Sequence, residues 1–155
     1  MGSRPPIIEP QLILLIEDDP DAADITEHFT AQLWPEAVIY RVSNLTEALT
    51  ALAAHTPHIV IADLLLNDSR PERTLETLLQ ALPYQTVLFV VSGAVSRLEG
   101  QAAIASGADG FFCKGIPHTT FQHLVLQAWL VRQGQRARRN RQRKMRRQRE
   151  HVELH

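Results

Sequence analysis

Five short apolar stretches recur along this 155-residue chain, and each is followed by a segment with helical periodicity. The five stretches lie at about 12–16, 37–42, 58–62, 86–91 and 110–113. They are continuously apolar, which is typical of strands that are buried on both faces of a parallel sheet. Five strand–helix units joined by right-handed crossovers predict a three-layer α/β sandwich.

Capping signals delimit the helices between these strands. Asp19 is suited to cap a helix over 21–33, with Pro20 at a position that tolerates proline, and Ser43 or Asn44 is suited to cap the next. Gly107 is a common kind of C-terminal stop. The remaining helices are expected at about 45–54, from the polar loop 67–71 to 82, from about Val95 to 106, and after Pro117.

Charged and hydroxylic side chains stand where the apolar strands end. Glu17 and Asp18 follow the first strand, Asp63 the third, Ser92 the fourth and Lys114 the fifth. Because parallel strands present their carboxyl ends at one end of the sheet, these residues should converge there. A carboxylate that leaves an apolar strand is costly to desolvate unless it faces solvent or something binds it.

The net charge of -1 hides two oppositely charged regions. Up to Val131 there are six Lys and Arg against fifteen Asp and Glu, giving -9. From Arg132 onward there are ten Lys and Arg against two Glu, giving +8. The sequence therefore predicts a flexible leader over 1–10, one domain over 11–131, and a basic tail over 132–155 that is flexible or a helical extension.

Length and composition limit the class of protein. The chain is long enough for one ordinary domain, and its single cysteine, Cys113, excludes an internal disulfide and is interpreted as a buried thiol. No apolar run approaches the ~20 residues of a spanning helix, which predicts a cytoplasmic protein that does not enter the membrane. No catalytic histidine, reactive cysteine or glycine-rich phosphate loop indicates a small-molecule enzyme.

Four segments taken together resemble the receiver domain of bacterial two-component response regulators. They read ILLIEDDP at 13–20, IVIADL at 59–64, VVSG at 90–93 and SGADGFFCK at 106–114, and the resemblance covers roughly 11–131. It implies a flavodoxin-like (βα)5 fold, with a parallel five-stranded sheet of order 2-1-3-4-5. It also implies a phosphoacceptor that catalyses only its own phosphorylation and dephosphorylation.

The resemblance assigns a role to each converging residue. Asp63 is expected to accept a phosphoryl group from a histidine kinase or phosphotransfer protein, next to Lys114. Ser92 would donate its hydroxyl to the phosphoryl group, and Phe111 matches the aromatic switch position. Mg²⁺ is the implied cofactor, with ligands expected to be Glu17, Asp18, Asp63 and the backbone carbonyl of Leu65, all oxygen donors suited to a hard cation.

Some positions depart from the common pattern of the family. Gly115 stands where many receivers have proline, and the Lys-Gly pair is similar to a subgroup in which the last helix often continues into another domain. In the loop after Asp63, Asn67 replaces the proline of that subgroup, and 70–74 looks like a short insertion. Leu65 and Ala94 are apolar and unable to orient an attacking water, so slow loss of the phosphoryl group is expected.

The C-terminal region leaves alternatives open. The apolar surplus of 117–131 suggests a contact surface, and in this family such a surface commonly mediates dimerisation. Gly134 is expected to interrupt the last helix. The basic residues 132–149 are compatible with a solvated tail, with binding to nucleic acid or an acidic partner, or with folding back onto the acidic body. A receiver-like module that binds partners without phosphorylation is the competing function.

Overall fold

The computed structural model describes residues 8–93 and 97–153, which form five strands and five helices in alternation. The strands are β1 (Leu12–Ile16), β2 (Val38–Val42), β3 (Ile59–Asp63), β4 (Val87–Ser92) and β5 (Gly110–Cys113). The helices are α1 (Pro20–Leu33), α2 (Leu45–Ala54), α3 (Pro71–Ala81), α4 (Arg97–Ser106) and α5 (His118–Glu153). The expected start of α4 near Val95 lies outside the described residues, as do residues 1–7 of the leader.

All strands pair in parallel in the order β2-β1-β3-β4-β5, which confirms the expected fold. Burial on both faces is observed for β1, β3 and β4, but not for every strand. The prediction of burial on both faces was wrong for β2. This strand is an edge strand of the sheet, and Val38 and Tyr40 are 63% and 51% exposed. An edge strand has only one neighbouring strand, so some of its side chains stay exposed to solvent.

Two apolar layers hold the helices against the sheet. One layer joins β1, β3 and β4 to α1 and α5, through residues such as Phe121, Val125 and Trp129. The other joins the opposite face of the sheet to α2, α3 and α4, through residues such as Ala48 and Leu78. The helices are thereby fixed on both faces, and the loops at the carboxyl end of the sheet start from rigid supports.

Strands β3 and β4 begin and end one residue later than the sequence indicated. Asp63 pairs with Val91 and Ser92 pairs with Cys113, so both Asp63 and Ser92 are the last residues of their strands. The parallel ladder extends over these polar residues because their backbone groups still find partners in the neighbouring strand. Both side chains are therefore held by the sheet itself and not by a loop.

Helix α5 continues far beyond the sheet. It runs for 36 residues and crosses Gly134 without a break, so the expected interruption there was wrong. Good helix formers such as Gln, Arg and Ala surround Gly134, and a single interior glycine costs only ~1 kcal/mol relative to alanine. We call residues 132–153 of α5 the extension.

The chain before β1 is tied to α5 at the amino end of the sheet. The indole Nε1 of Trp129 donates a hydrogen bond to the carbonyl oxygen of Ile8, at 2.9 Å, and Pro10 is buried. The described part of the leader is thus anchored, which the sequence did not suggest. None of the helices within 8–93 and 97–153 combines the length and apolar character needed to cross a membrane.

Candidate functional site

Lys114 links two buried carboxylates at the carboxyl end of the sheet. Its Nζ donates hydrogen bonds to Oε1 of Glu17 and, at 2.9 Å, to Oδ2 of Asp63. Glu17 and Asp63 are 6% and 5% exposed, whereas the Lys114 side chain is 32% exposed. Strands β1, β3 and β5 therefore bring together three residues that are 46 or more positions apart in the sequence.

Gly115 allows the chain to leave β5 immediately after Lys114. Its φ is +95°, in the left-handed region that glycine adopts without steric cost. A Cβ at this position would meet nothing within 4 Å, so the requirement for glycine is conformational and not one of space. The amide of Lys114 also donates to the carbonyl of Ser92 at 3.1 Å, which fixes the lysine against β4.

The acidic residues form a cluster that fits a hard cation. Glu17, Asp18 and Asp63 each offer a carboxylate oxygen, and these oxygens lie within 4.8 Å of one another. Among the described residues, Oε2 of Glu17 is buried and has no hydrogen-bond partner. A buried polar atom without a partner costs about 1–3 kcal/mol, and a cation bound there would remove that cost. An all-oxygen set of carboxylates suits Mg²⁺ or Ca²⁺ better than a soft metal.

The cluster shifts the pKa of its own members. Burial, together with the neighbouring Asp63 carboxylate, raises the pKa of Glu17 to about 8, and the Lys114 ammonium only partly offsets this. Burial by itself would lower the pKa of Lys114, but its hydrogen bonds to Glu17 and Asp63 outweigh burial and raise it. At neutral pH and without a metal, Lys114 is therefore charged and Glu17 holds a proton.

The remaining predicted site residues lie around this cluster. Leu65 is 43% exposed, and its amide donates to Oδ1 of Asp63 at 2.9 Å. The amide of Leu64 donates to the carbonyl of Val91 at 3.3 Å, which ties the residue after Asp63 to β4. Ser92 is 1% exposed and, with Leu64 and Leu65, lines a cleft of about 560 Å³ between α3 and α4.

Phe111 packs against α4. A Cβ built on Gly100 would lie 2.3 Å from ring atoms of Phe111, so the ring occupies the space that any side chain at Gly100 would need. The ring is half-buried and contacts the apolar layer on the α2–α4 face. The Phe111 side chain therefore lies between the sheet and α4, the helix that comes after Ser92 in the sequence.

Two aspartates make contacts that the sequence did not predict, Asp68 beside the site and Asp109 at the opposite end of the sheet. Asp68, in the loop after β3, accepts hydrogen bonds at 3.0 Å from the amides of Leu45 and Thr46 at the start of α2. Asp109 accepts from the Leu88 amide at 2.8 Å and lies 3.5 Å from Nε of Arg132. The only available signal was that Asp is common in turns and at helix N-termini, and that signal does not identify a distant partner.

Three further expectations can be compared with the structure. Asn44, not Ser43, caps α2, with its Oδ1 accepting from the Glu47 amide at 2.8 Å. Cys113 is half-buried and not fully buried, because β5 is an edge strand of the sheet. The apolar surplus of 117–131 is largely used by the core, and it leaves Leu130 45% and Val131 52% exposed.

Comparison with known proteins agrees with this fold. A family model described as the response regulator receiver domain matches residues 13–126. No curated protein sequence matches the chain.

Solved structures of several such domains are similar to this chain. The signal receiver domain of the DNA-binding response regulator merR from Colwellia psychrerythraea is 25% identical with a TM-score of 0.66, over 76% of this chain and 96% of that one. A CheY-like receiver domain from Methylobacillus flagellatus is 24% identical with a TM-score of 0.64, over 78% and 99%. A Burkholderia pseudomallei response regulator with a phosphorylated aspartic acid, calcium ion and citrate is 19% identical with a TM-score of 0.65, over 84% and 75%.

Proposed function

The chain belongs to the response regulator receiver domain family, and from that premise we propose that it is a phosphoryl-accepting switch of a two-component system with Asp63 as the acceptor. The observation that carries the proposal is the pairing of Lys114 with both Glu17 and Asp63 at one end of the sheet. A receiver-like module that only binds partners would not need to bury two carboxylates around one lysine.

Asp63 is held as a nucleophile would need to be. Oδ1 accepts from the Leu65 amide and Oδ2 from Lys114, so the orientation of the carboxylate is fixed before any substrate arrives. A carboxylate oxygen forms a bond to the phosphorus of a phosphohistidine while the phosphorus–nitrogen bond breaks, and the imidazole leaves. Lys114 stays beside the phosphoryl oxygens and stabilises their charge, which is the main task in phosphoryl transfer.

The acidic cluster is proposed as the Mg²⁺ site. Glu17, Asp18, Asp63 and the backbone carbonyl of Leu65 would hold the ion, and the orphaned Oε2 of Glu17 supports this assignment. When bound, Mg²⁺ neutralises charge on the transferred phosphoryl group. The chain brings three carboxyl groups together, and Lys114 donates hydrogen bonds to two of them.

The proposed switch passes through Ser92 and Phe111. The Ser92 hydroxyl would donate to the phosphoryl group on Asp63, which draws the loop after β4 towards the site. Phe111, packed over Gly100, is the ring that would follow and change the surface formed by α4 and β5. Membership of the Lys-Gly subgroup and a homodimer through 117–131 remain predictions, with Leu130 and Val131 as the exposed apolar part of that surface.

Intact-mass spectrometry after incubation with acetyl phosphate and Mg²⁺ tests the proposal. We expect one added phosphoryl group on the full chain, and none with Asp63→Asn or with a chelator present. Asp109→Asn is the control, because it makes the same substitution at a half-buried aspartate outside the acidic cluster. No added mass on a sample shown to be folded by circular dichroism would favour the phosphorylation-independent module.

The same assay measures how long the phosphoryl group persists. Leu65 has no polar atom to orient water, and Ala94, the other residue expected to matter, lies outside the described residues. We expect a lifetime of minutes or longer, and Leu65→Asn should shorten it about tenfold, equivalent to ~1.4 kcal/mol of barrier. Loss of the group within seconds in the unsubstituted chain would contradict this expectation.

A further inference from the structure

The extension of α5 forms an arginine-lined cleft with the loop before β4, at the amino end of the sheet. The Arg132 and Arg139 guanidinium carbons lie 4.4 and 4.2 Å from the centroid of the Tyr84 ring, which is 57% exposed. The cleft has a volume of about 370 Å³, and Arg136 and Arg143 also line it. We call Tyr84 and these four arginines the arginine cleft.

The cleft has far more positive charge than the body neutralises. Within the described residues, the one ion pair between the extension and the body joins Arg132 to Asp109, at 3.5 Å. Arg136, Arg139 and Arg143 have no carboxylate partner in that part of the chain. The basic region therefore does not fold back onto the acidic body. Like-charged guanidinium groups that share one cleft without counter-charges repel each other, and an anion placed among them would relieve that repulsion.

We propose that the arginine cleft binds the phosphodiester backbone of a nucleic acid, without dependence on base sequence. The site is separate from the carboxyl end of the sheet, so the inference does not depend on phosphorylation of Asp63. The amides of Gln85, Gln133 and Asn140 line the same cleft and add donors for phosphate or base edges.

Residue type favours phosphate over carboxylate surfaces as the partner. Nine of the ten basic residues between 132 and 149 are arginine. The planar guanidinium matches phosphate geometry through two parallel hydrogen bonds and also stacks on bases. Tyr84 already stacks with two of these groups, which holds them in place and keeps an aromatic surface exposed beside them. Aromatic rings next to cations are typical of sites that bind single strands.

Charge spacing also favours a polynucleotide. Ten cations over 18 residues of helix give one positive charge per ~2.7 Å, at 1.5 Å per residue. A nucleic acid strand carries one negative charge per ~3.4 Å, so the two linear densities are similar. An acidic protein surface spreads its charges over two dimensions and would match only part of this rod. The acidic body, with its net -9, repels a polyanion and restricts it to the cleft and the extension.

Fluorescence anisotropy with labelled oligonucleotides tests the proposal on the full chain. The probes are two unrelated sequences of about 20 nucleotides, each as DNA and as RNA, roughly twice the length that the extension spans at ~3.4 Å per phosphate. We expect all four to bind at low salt with affinities within about threefold of each other, and binding to weaken steeply as salt rises. No binding at low salt, or a preference above about tenfold for one sequence, would overturn the proposal.

A matched pair of triple variants distinguishes a site from diffuse charge. Arg136→Gln, Arg139→Gln and Arg143→Gln remove three charges from the cleft, and Arg138→Gln, Arg141→Gln and Arg149→Gln remove three from the opposite helix face, given ~100° per residue. The cleft variant should lose about tenfold or more in affinity and reduce the salt slope by ~2, and the control should lose less than about threefold. Equal losses in both would show that only net charge matters and would overturn the site.

Two further measurements separate the remaining explanations. Tyr84→Leu removes the ring that supports Arg132 and Arg139, and it should weaken binding several-fold without changing the salt slope, because no charge is lost. Tyr84→Phe keeps the ring and should restore binding. Polyglutamate at equal charge should compete much more weakly than unlabelled oligonucleotide. Equal competition would assign the cleft to an acidic protein and overturn the proposal.

Discussion

The two ends of the sheet carry opposite charges and handle them in opposite ways. At the carboxyl end, Glu17 and Asp63 are buried and both contact Lys114, so the polar groups of the site are held by one another. At the amino end, the extension carries ten cations, and among the described residues only Arg132 is paired with the body. Burying a charge carries a large desolvation cost that nearby groups must compensate, whereas an exposed charge remains hydrated and available to a binding partner.

Because of this difference, substitutions at the two ends of the sheet should affect stability and binding differently. At the carboxyl end, we expect the few charged groups of the site to affect stability, metal binding and chemistry together. The extension has many charges that contribute little to folding. A substitution should therefore have large and coupled effects at one end of the molecule, and effects confined to binding at the other.

Lys114→Met should give the largest change in stability. It leaves two buried carboxyl groups without their cation, and breaking a buried pair costs about 3–5 kcal/mol. Partial exposure of Lys114 and the proton that Glu17 already holds at pH 7 reduce the expected loss to ~2 kcal/mol. Urea unfolding at pH 7 measures it. Arg138→Gln in the extension is the comparison, and should change stability by less than ~0.5 kcal/mol. Similar losses for the two variants would remove the distinction between the two ends.

The raised pKa of Glu17 predicts how metal binding should depend on pH. Its pKa is raised by burial from 4.5 to about 8, so the folded state binds this proton more tightly than the unfolded state. The stabilising contribution of the proton is complete below pH 4.5 and is lost as the pH rises through 8. Because Mg²⁺ needs the carboxylate, binding at pH 7 should release ~0.9 proton, and affinity should rise up to tenfold per pH unit below 8.

Calorimetry in buffers of different ionisation enthalpy counts the released protons. Glu17→Gln should bind Mg²⁺ more weakly and release almost none, while Glu36→Gln, an exposed carboxylate, should behave like the unsubstituted chain. Unchanged proton release in Glu17→Gln would show that another group is the source of the proton and would refute this account of the acidic cluster.

Asp68→Ala should have a moderate effect, limited to the loop beside the acceptor. The side chain accepts from the amides of Leu45 and Thr46, and losing a helix cap typically costs ~1 kcal/mol. Burial by itself would raise the pKa of Asp68, but these hydrogen bonds outweigh burial and lower it. The stabilising contribution of the charged carboxylate is therefore present above pH 3.8 and is lost as the pH falls further. Hydrogen exchange should accelerate at Leu45 and Thr46. Unchanged protection there would show that the cap does not hold the loop.

Much of the fold followed from local patterns, because each strand is an apolar run bounded by polar residues. The convergence of Glu17, Asp63 and Lys114 could be predicted from strand ends alone, since parallel strands end on the same side of the sheet. The contacts of Asp68 and Tyr84 could not, because both are polar loop residues whose partners are fixed only when distant helices pack. The contact of the Tyr84 ring with Arg132 and Arg139 also requires α5 to continue as a helix past Gly134, which a local glycine signal argued against.

Gly134 gives the smallest predicted effect and tests how the extension is held. A Cβ at this position would meet nothing within 4 Å, and the residue lies inside a continuous helix. Gly134→Ala should therefore stabilise the helix by ~0.5–1 kcal/mol without any new contact. We expect greater protection from hydrogen exchange over 135–153 and little change in the global free energy of unfolding, because the extension adds few buried apolar groups to the core. A rise in global stability equal to the local gain would mean that the extension unfolds with the sheet, and that the two ends of the molecule are energetically coupled.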